Sequence, residues 1–496
     1  MTPAVPKGGS RRGPDEIRDA IDRFLGAAKK PVVFEPGEES IPLVPNNYAL
    51  ETKGNVLLLQ AWDERRNLVR RISGISSESR GRLDLHFERF DKKFGTVSLV
   101  DEAQGQTSMR LRTARLGFRE HFRRFLRRQF PSYRIAELST EANLQDSLSP
   151  AYPRALLRDG ASAWAAIGAS SDCLQIDGVL SFGLIWLDHL RRRERKSVVR
   201  GLILLLPAGA EKTTCLRMGC LDASLAEFRV FAYTEDGFET SLDLSDYGNL
   251  DTRLERVQRP VPSVSDELLD FVRVLPGVEM VERGIGVLSL RVHGLEFART
   301  AGDSLLYGLE TNRVANASNL AEIKRLAEEL ARLRSTNSLE RDSPLFLRGR
   351  ELWLESQVRA DLETIDASLL PTPLYEQAPT FAGGDRGIID LLACDRSGRL
   401  AVLELKASED IHLPLQALDY WMRVKWHLAR EEFGPAGYFP GIQLRQEAPR
   451  IMLIAPALDF HPSNERILRY FSPAVPVERI GVGAGWQSNL QVMFRM

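Results

Sequence analysis

The chain has 496 residues, of which 43% are hydrophobic and 27% are charged, and its formal net charge is −1. This balance is typical of folded globular proteins and excludes a largely disordered or fibrous chain, while the length suggests about three domains. A net charge so close to zero creates no global positive field, so any binding of nucleic acid has to depend on local basic patches.

Membrane and disulfide-dependent classes are also disfavoured. No apolar run approaches the roughly 20 residues needed to span a bilayer, and the charged N-terminus has no apolar stretch behind it, unlike a secretory signal. The four cysteines are too few and too irregularly spaced for a disulfide framework or a zinc site; they are Cys173, Cys215, Cys220 and Cys394. We therefore expect a cytoplasmic protein with no membrane partner.

The first hundred residues divide into a polar start and a series of short strands. Residues 1–30 are predicted to be a flexible tail, and residues 31–109 a β-rich N-terminal domain. The clearest strand is Arg82–Glu88, in which polar and apolar residues alternate with period two.

A helix crowded with arginine is predicted over Met109–Phe130. Its apolar residues supply a packing surface, and opposing acids are nearly absent apart from Glu120. Such a stripe can bind a phosphate backbone by neutralising its charge, although a solvated helix face paired with acids elsewhere in the fold is the more common explanation. The candidate nucleic-acid-binding residues are Arg119, Arg123, Arg124, Arg127 and Arg128 of this helix, together with Tyr420 near the C-terminus.

Residues 110–315 are expected to form an α/β or α+β domain of unknown role. Gly178–Arg193 has the pattern of a buried helix, and Val198–Leu206 that of a strand covered on both sides. A helical linker is predicted over 316–340, with the main domain boundary near Ser335–Ser338. The helix-then-strand order of 178–206 is similar to that of 414–456, which is compatible with a degenerate duplication.

The residues that carry chemistry lie in a hairpin near the C-terminus. Gly387–Cys394 and Arg399–Ala407 are predicted strands, and Arg396–Gly398 suits a three-residue turn with glycine in the left-handed conformation. Counting back from this turn places Asp390 opposite Glu404. Lys406 lies on the same face as Glu404, because side chains alternate with period two.

Two carboxylates and a lysine are costly to bury on a strand pair whose two faces are otherwise apolar. A magnesium ion offers the simplest compensation, because hard carboxylate oxygens are its preferred ligands. The alternative is a partly exposed strand end that carries an ordinary ion pair between Lys406 and Glu404 or Asp390. The order of the neighbouring elements favours the metal site: a helix with acids (Arg350–Arg359) precedes the hairpin, and a helix (Leu413–Val424) and a buried strand (Arg450–Pro456) follow it.

Together these elements resemble the PD-(D/E)xK nuclease superfamily. The positions that carry the resemblance are Glu355, Asp390, Glu404-Leu405-Lys406 and Gln416. They are most similar to the C-terminal nuclease domain of NucS-type endonucleases. The resemblance covers roughly 345–457, under a quarter of the chain, and the proline that gives the superfamily its name is replaced by Ile389. It implies an α/β, restriction-endonuclease-like domain over 341–496, beside a larger α+β N-terminal region.

The resemblance also implies a role for each matching residue. Asp390 and Glu404 would ligate Mg²⁺ or Mn²⁺ with the carbonyl of Leu405, and Lys406 would orient the attacking water and stabilise charge on the scissile phosphate. Glu355 would reach the site from the first helix, with Glu351 as a substitute. Gln416 and Tyr420 would face the site from the second helix.

We therefore expect a metal-dependent endonuclease that hydrolyses DNA, with the N-terminal regions binding or selecting the substrate. Three alternatives stay open: a nuclease fold that binds nucleic acid without cutting it, a nuclease that acts on RNA or another phosphodiester, and a multidomain scaffold in which the nuclease is a regulated effector arm. A homodimer is compatible with the sequence.

Overall fold

The computed structural model describes most of the chain. The residues outside its description are 1–12, 35–39, 44–47, 54–55, 63–66, 80, 89–93, 102–105, 142, 144–145, 172, 174–175, 235, 246–247, 258–265, 284–286, 310–311, 336–337, 339–343 and 383–384. Over the described residues the fold is mixed α/β, with four sheets. In the described residues, no helix is both long enough and apolar enough to cross a membrane.

The described chain divides into two compact units. The first comprises Met1–Thr213 and Glu227–Asp243, and the second comprises Thr214–Ala226 and Leu244–Met496. The predicted domain of residues 110–315 is thus shared between the two units. The predicted boundary near Ser335–Ser338 falls inside the second unit.

The first unit begins with helix α1 and an antiparallel sheet of seven strands in the order β2-β1-β7-β6-β5-β4-β3. Every second residue of a strand points inward and contributes to the core, as Leu83, Leu85 and Phe87 do in the predicted strand Arg82–Glu88. The elements are α1 (Pro14–Ala27), β1 (Pro31–Phe34), β2 (Ile41–Pro42), β3 (Tyr48–Lys53), β4 (Val56–Trp62), β5 (Asn67–Ser79), β6 (Arg82–Glu88) and β7 (Phe94–Asp101).

Helix α1 corrects the prediction of a flexible tail over residues 1–30. Pro14 at its first position and the acids of its first turn favour a helix start. Ile17, Ala20 and Ile21 are buried against the seven-stranded sheet, and this apolar stripe holds the helix in place. The first 12 residues of the predicted tail lie outside the described chain.

The second sheet of the first unit has six strands in the order β13-β12-β11-β10-β9-β8. Strands β10, β11 and β12 are parallel, and the other neighbours are antiparallel. The two predicted elements of this region, the buried helix and the buried strand, are confirmed as α3 and β11. The elements of this stretch of the chain are α2 (Gln106–Gln129), β8 (Arg134–Ser139), β9 (Arg154–Asp159), β10 (Ser162–Gly168), α3 (Val179–Arg193), β11 (Val198–Pro207), α4 (Lys212–Met218), β12 (Glu227–Tyr233) and β13 (Glu239–Ser241). From Thr214 onward, α4 belongs to the second unit.

The second unit contains a five-stranded antiparallel sheet in the order β14-β15-β16-β17-β18, covered by two helices. The elements are α5 (Asp266–Arg273), β14 (Val278–Arg283), β15 (Val287–Val292), β16 (Leu295–Ala301), β17 (Ser304–Tyr307), β18 (Arg313–Val314) and α6 (Leu320–Leu333).

The helix predicted within 316–340 is confirmed as α6, but the prediction that it is a linker is wrong, because α6 is part of this core. Ile323, Ala327 and Leu330 are fully buried against the sheet. Arg334, which directly follows the helix, is fully buried and donates hydrogen bonds to the carbonyls of His293 (2.9 Å) and Leu345 (2.8 Å). These contacts tie the end of α6 into the second unit.

The last sheet has six strands in the order β19-β20-β21-β22-β23-β24, of which β21, β22 and β23 are parallel. Its elements are α7 (Pro344–Leu347), α8 (Arg350–Ala360), α9 (Leu362–Ile365), β19 (Tyr375–Ala382), β20 (Asp385–Cys394), β21 (Leu400–Leu405), α10 (Leu413–Ala429), β22 (Arg450–Pro456), α11 (Ser463–Leu468), β23 (Val477–Val482) and β24 (Val492–Arg495).

The two six-stranded sheets have the same topology. In each, an antiparallel three-strand meander is followed by two parallel strands and a final antiparallel edge strand. In each, the longer crossover helix (α3 or α10) connects the first parallel pair, and a shorter helix (α4 or α11) connects the second. We call them the first core (β8–β13) and the second core (β19–β24).

Candidate functional site

The hairpin of β20 and β21 adopts the register predicted from the sequence. Leu391 pairs with Leu403, and continuing this ladder by one residue places Asp390 opposite Glu404. Residues 396–398 form the turn that fixes this register, with Gly398 in the left-handed region at φ +89°.

Gly398 is required at the turn for two reasons, its positive φ and the lack of space around it. A Cβ atom there would lie 2.3 Å from the carbonyl oxygen of Gln443. We expect Gly398→Ala to lower the free energy of unfolding by about 1–3 kcal/mol. Urea denaturation would measure this, with Gly434→Ala as control, because a Cβ at Gly434 meets nothing within 4 Å. An equal loss in both variants would contradict the role assigned to the turn.

Both faces of the hairpin are covered, as the sequence predicts for an α/β sandwich. Helix α8 and α9 cover the face of Leu391 and Leu403. Helix α10 covers the opposite face through Tyr420, Val424 and Leu428. Glu404 alternates with Leu403 and Leu405, so its side chain lies on the α10 face.

Asp390, Glu404 and Lys406 come together on this face. The Asp390 Oδ2 atom accepts a hydrogen bond from the Leu405 amide (2.8 Å). The Lys406 Nζ atom lies 3.7 Å from Glu404 Oε1 and 3.8 Å from Glu351 Oε2. The side chain of Glu404 is 2% exposed and that of Lys406 is 12% exposed. The three predicted residues therefore form one cluster of ionisable groups in a largely apolar setting.

Burial and mutual repulsion make the two carboxyl groups hard to ionise. Burial raises the pKa of Asp390 to about 6, although Lys406 and the Leu405 amide act in the opposite direction. The pKa of Glu404 is raised well above its ordinary value by burial and by Asp390. Burial alone would lower the pKa of Lys406, but Glu351, Glu404 and Asp390 together raise it, so Lys406 stays cationic.

Three buried oxygens of the predicted site residues make no hydrogen bond to the described chain: Glu404 Oε2, Gln416 Oε1 and Glu355 Oε1. Buried oxygens of this kind are normally satisfied, and a hard divalent cation would satisfy them and relieve the repulsion between the carboxylates. The donor set therefore fits Mg²⁺ or Mn²⁺. Among the described residues, no group of three or more His, Cys, Asp or Glu side chains is arranged as a metal site. A bound Mg²⁺ or Mn²⁺ would therefore be held by the carboxylates of Asp390 and Glu404 together with oxygens of other groups.

Glu355 is less closely joined to the cluster than the sequence suggested. It is 3% exposed, and its Oε1 atom lies 3.8 Å from Nη1 of Arg291, an atom that also pairs with Glu376 at 3.1 Å. Burial, Glu376 and Asp390 raise the pKa of Glu355 well above its ordinary value, and Arg291 opposes them. The acid of α8 in contact with Lys406 is Glu351, the substitute named from the sequence.

Helix α10 contributes polar residues to the same face. Burial, Glu404 and Asp390 all raise the pKa of Tyr420, which places its hydroxyl within the electrostatic reach of the carboxylates. One turn earlier, the buried amide oxygen of Gln416 has no hydrogen-bond partner among the described residues. Gln416 and Tyr420 stand four residues apart and therefore share one face of α10.

The arginines of α2 have mixed surroundings. Arg119 donates to the Leu138 carbonyl, Arg123 pairs with Glu120, and Arg128 pairs with Glu239. Arg124 and Arg127 are exposed and make no hydrogen bond or ion pair with the part of the chain that the structure describes. Among the five candidate arginines, all of which the structure describes, three are therefore engaged, and Arg124 and Arg127 stay available for a partner.

Arg291 and Glu376 were not found by reasoning from the sequence. Arg291 lies on β15, 59 residues before Arg350, where α8 begins, and an arginine in an alternating strand is ordinarily solvated. Nothing in its local pattern indicates that it is 1% exposed beside two glutamates. Only the packing of the five-stranded sheet against the second core reveals this.

Comparison of the chain with protein-family models and with curated proteins found no match in either set.

Proposed function

We propose that the second core is a restriction-endonuclease-like domain of the PD-(D/E)xK kind, and that the chain is a metal-dependent endonuclease acting on DNA. The observation that carries the proposal is the placement of Asp390 opposite Glu404, with Lys406 two residues further along the same face. The helix-hairpin-helix-strand order of α8, β20–β21, α10 and β22 supports it.

The chemistry assigned to the chain's own residues follows from their charges. Asp390 and Glu404, with the Leu405 carbonyl, would hold Mg²⁺ or Mn²⁺, which would supply a polarised water and a countercharge to the phosphate. Lys406 stays cationic and would orient the attacking water and stabilise negative charge on the scissile phosphate. The cytoplasmic location and the possible homodimer stay predictions.

The proposal is tested by incubating the purified full chain with Mg²⁺ or Mn²⁺ and, in parallel, with EDTA. The substrates are single-stranded, duplex, branched and mismatched DNA, with RNA alongside. We expect cleavage of at least one DNA substrate, lost in EDTA. Cleavage confined to RNA would favour the RNA alternative, and binding without cleavage under either metal would favour an inactive nuclease fold.

We further propose that α2 contributes to DNA binding through Arg124 and Arg127. Replacing both by glutamate should weaken duplex binding by at least about tenfold at low salt, because each contact with a phosphate releases counterions. Fluorescence anisotropy at several salt concentrations would measure the affinity and its salt slope. Arg18→Glu with Arg23→Glu on α1 is the matched control, since both side chains are exposed; equal weakening in the two double variants would contradict a specific role for α2.

A further inference from the structure

The first and second cores can be aligned residue by residue through their strand ends. Pro207 ends β11 opposite Tyr233, and Pro456 ends β22 opposite Val482. In each core, the amide that follows the proline donates a 2.8 Å hydrogen bond to the carbonyl of that opposite residue. The two prolines therefore occupy equivalent positions.

The neighbouring strand extends this alignment to the site. The amide of Ala169 donates to Leu205 O (3.0 Å), and the amide of Lys406 donates to Ile454 O (3.0 Å). Leu205 and Ile454 each stand two residues before the equivalent prolines. Ala169 is consequently the counterpart of Lys406.

The same registers identify counterparts for the two acids. Ile167 precedes Ala169 by two residues, as Glu404 precedes Lys406, so Ile167 corresponds to Glu404. Arg154 pairs with Ile167 across the antiparallel hairpin of the first core. It therefore corresponds to Asp390, the residue opposite Glu404.

The hydrophobic cores agree with this alignment. Eight buried positions under the α2 face of the first core correspond one to one with eight under the α8 face of the second. Those of the first core are Ala155, Leu157, Trp164, Ala166, Ile203, Leu205, Phe231 and Tyr233. Their counterparts are Leu391, Ala393, Ala401, Leu403, Met452, Ile454, Ile480 and Val482. Shared topology, register and core positions together indicate an internal duplication.

The first core has lost the chemistry at its three equivalent positions. Ile167 and Ala169 have no ionisable group, and Arg154 is a cation where the second core has a carboxylate. Arg154 is 4% exposed, donates to the carbonyls of Ser149 and Glu141, and lies over the ring of Trp186. A fixed positive charge thus lies where a metal ligand would be needed, and it repels a divalent cation.

We infer that the first core is a degenerate copy of the nuclease domain that binds no metal and cuts no DNA, so that each chain carries one cleavage centre. This inference rests on the proposed function. One centre adds one water across one P–O bond: the water oxygen joins phosphorus, the leaving oxygen takes a proton, and one strand is cut. A double-strand break then needs a second chain or a second binding event.

The first experiment counts metal centres in the full chain. Electron paramagnetic resonance measures Mn²⁺ binding to the wild type and to a double variant that carries both Asp390→Ala and Glu404→Gln. We expect the double variant to lose all of the site-bound Mn²⁺. Ile167→Val is the matched control at the position equivalent to Glu404, and it should bind Mn²⁺ like the wild type. Mn²⁺ retained by the double variant at wild-type affinity would overturn the inference.

The second experiment follows the cleavage of supercoiled plasmid by dilute wild-type protein. We expect nicked circles to form first, with linear molecules only as later products, and no products from the double variant. Cleavage that survives in the double variant would overturn the inference by showing a second centre. A wild-type chain that neither binds Mn²⁺ nor cuts any substrate would instead overturn the proposed function. The two failures are distinguishable, because only a second centre would leave cleavage in the double variant.

Discussion

Replacing Glu404 by glutamine is expected to lower the rate of metal-dependent DNA cleavage by at least about 10³-fold. The substitution keeps the shape of the side chain but removes the charge that, with Asp390, would hold the metal. Initial rates on the best DNA substrate, with Mg²⁺ and with Mn²⁺, measure the effect. Circular dichroism establishes that the variant is folded.

Lys406→Met should cause a loss of similar size, about 10²- to 10³-fold, because it removes the cation that faces the carboxylates and the phosphate. It should leave Mn²⁺ binding in place, which separates the role of Lys406 from that of the two acids. Glu409→Gln is the control for both variants, because Glu409 is exposed and lies three residues beyond Lys406. Cleavage that persists in Glu404→Gln and Lys406→Met would mean that the active site lies elsewhere.

The second large effect concerns stability. Metal binding should raise the free energy of unfolding of the wild type by about 2.7 kcal/mol at a metal concentration 100 times the Kd, because the ion would relieve repulsion between Asp390 and the buried Glu404. Glu404→Gln should show no such gain and, in EDTA at pH 8, should melt a few degrees higher than the wild type. Thermal unfolding with and without Mn²⁺ measures both differences.

The same two groups should give the metal-free protein a distinctive pH dependence. Their pKa values are raised in the folded state, to about 6 for Asp390 and well above the ordinary value for Glu404. Above about pH 4 the folded chain therefore binds more protons than the unfolded chain. The contribution of these two carboxyl groups to the free energy of unfolding is fully present below that pH and is lost as the pH rises through 6 and beyond. Glu404→Gln should flatten this decline. An unchanged profile in the variant, or no stabilisation of the wild type by metal, would contradict this account of the site.

The local parts of the site could be predicted from the sequence because short-range rules determine them. Gly398 indicated the turn type, the turn fixed the register, and the register placed Asp390 opposite Glu404 with Lys406 on the same face. The α3 and β11 elements of the first core followed similarly from strong hydrophobic patterns.

Features that depend on long-range packing could not be predicted. A short amphipathic helix such as α1 is uninformative until the sheet that buries Ile17 and Ile21 is known. The same holds for α6: its regular apolar stripe predicted the helix, but not that this stripe packs on the five-stranded sheet. The equivalence of Arg154 with Asp390 depends on strand pairing, because the residue types at the two positions have opposite charge.

The measurement that tests the central claim most directly is a crystal structure of the full chain grown with Mn²⁺, using the anomalous scattering of the metal. We predict an anomalous peak within bonding distance of carboxylate oxygens of both Asp390 and Glu404, with none near Arg154. A peak located away from these two carboxylates, or no peak at Mn²⁺ concentrations that support cleavage, would contradict the assignment of the site.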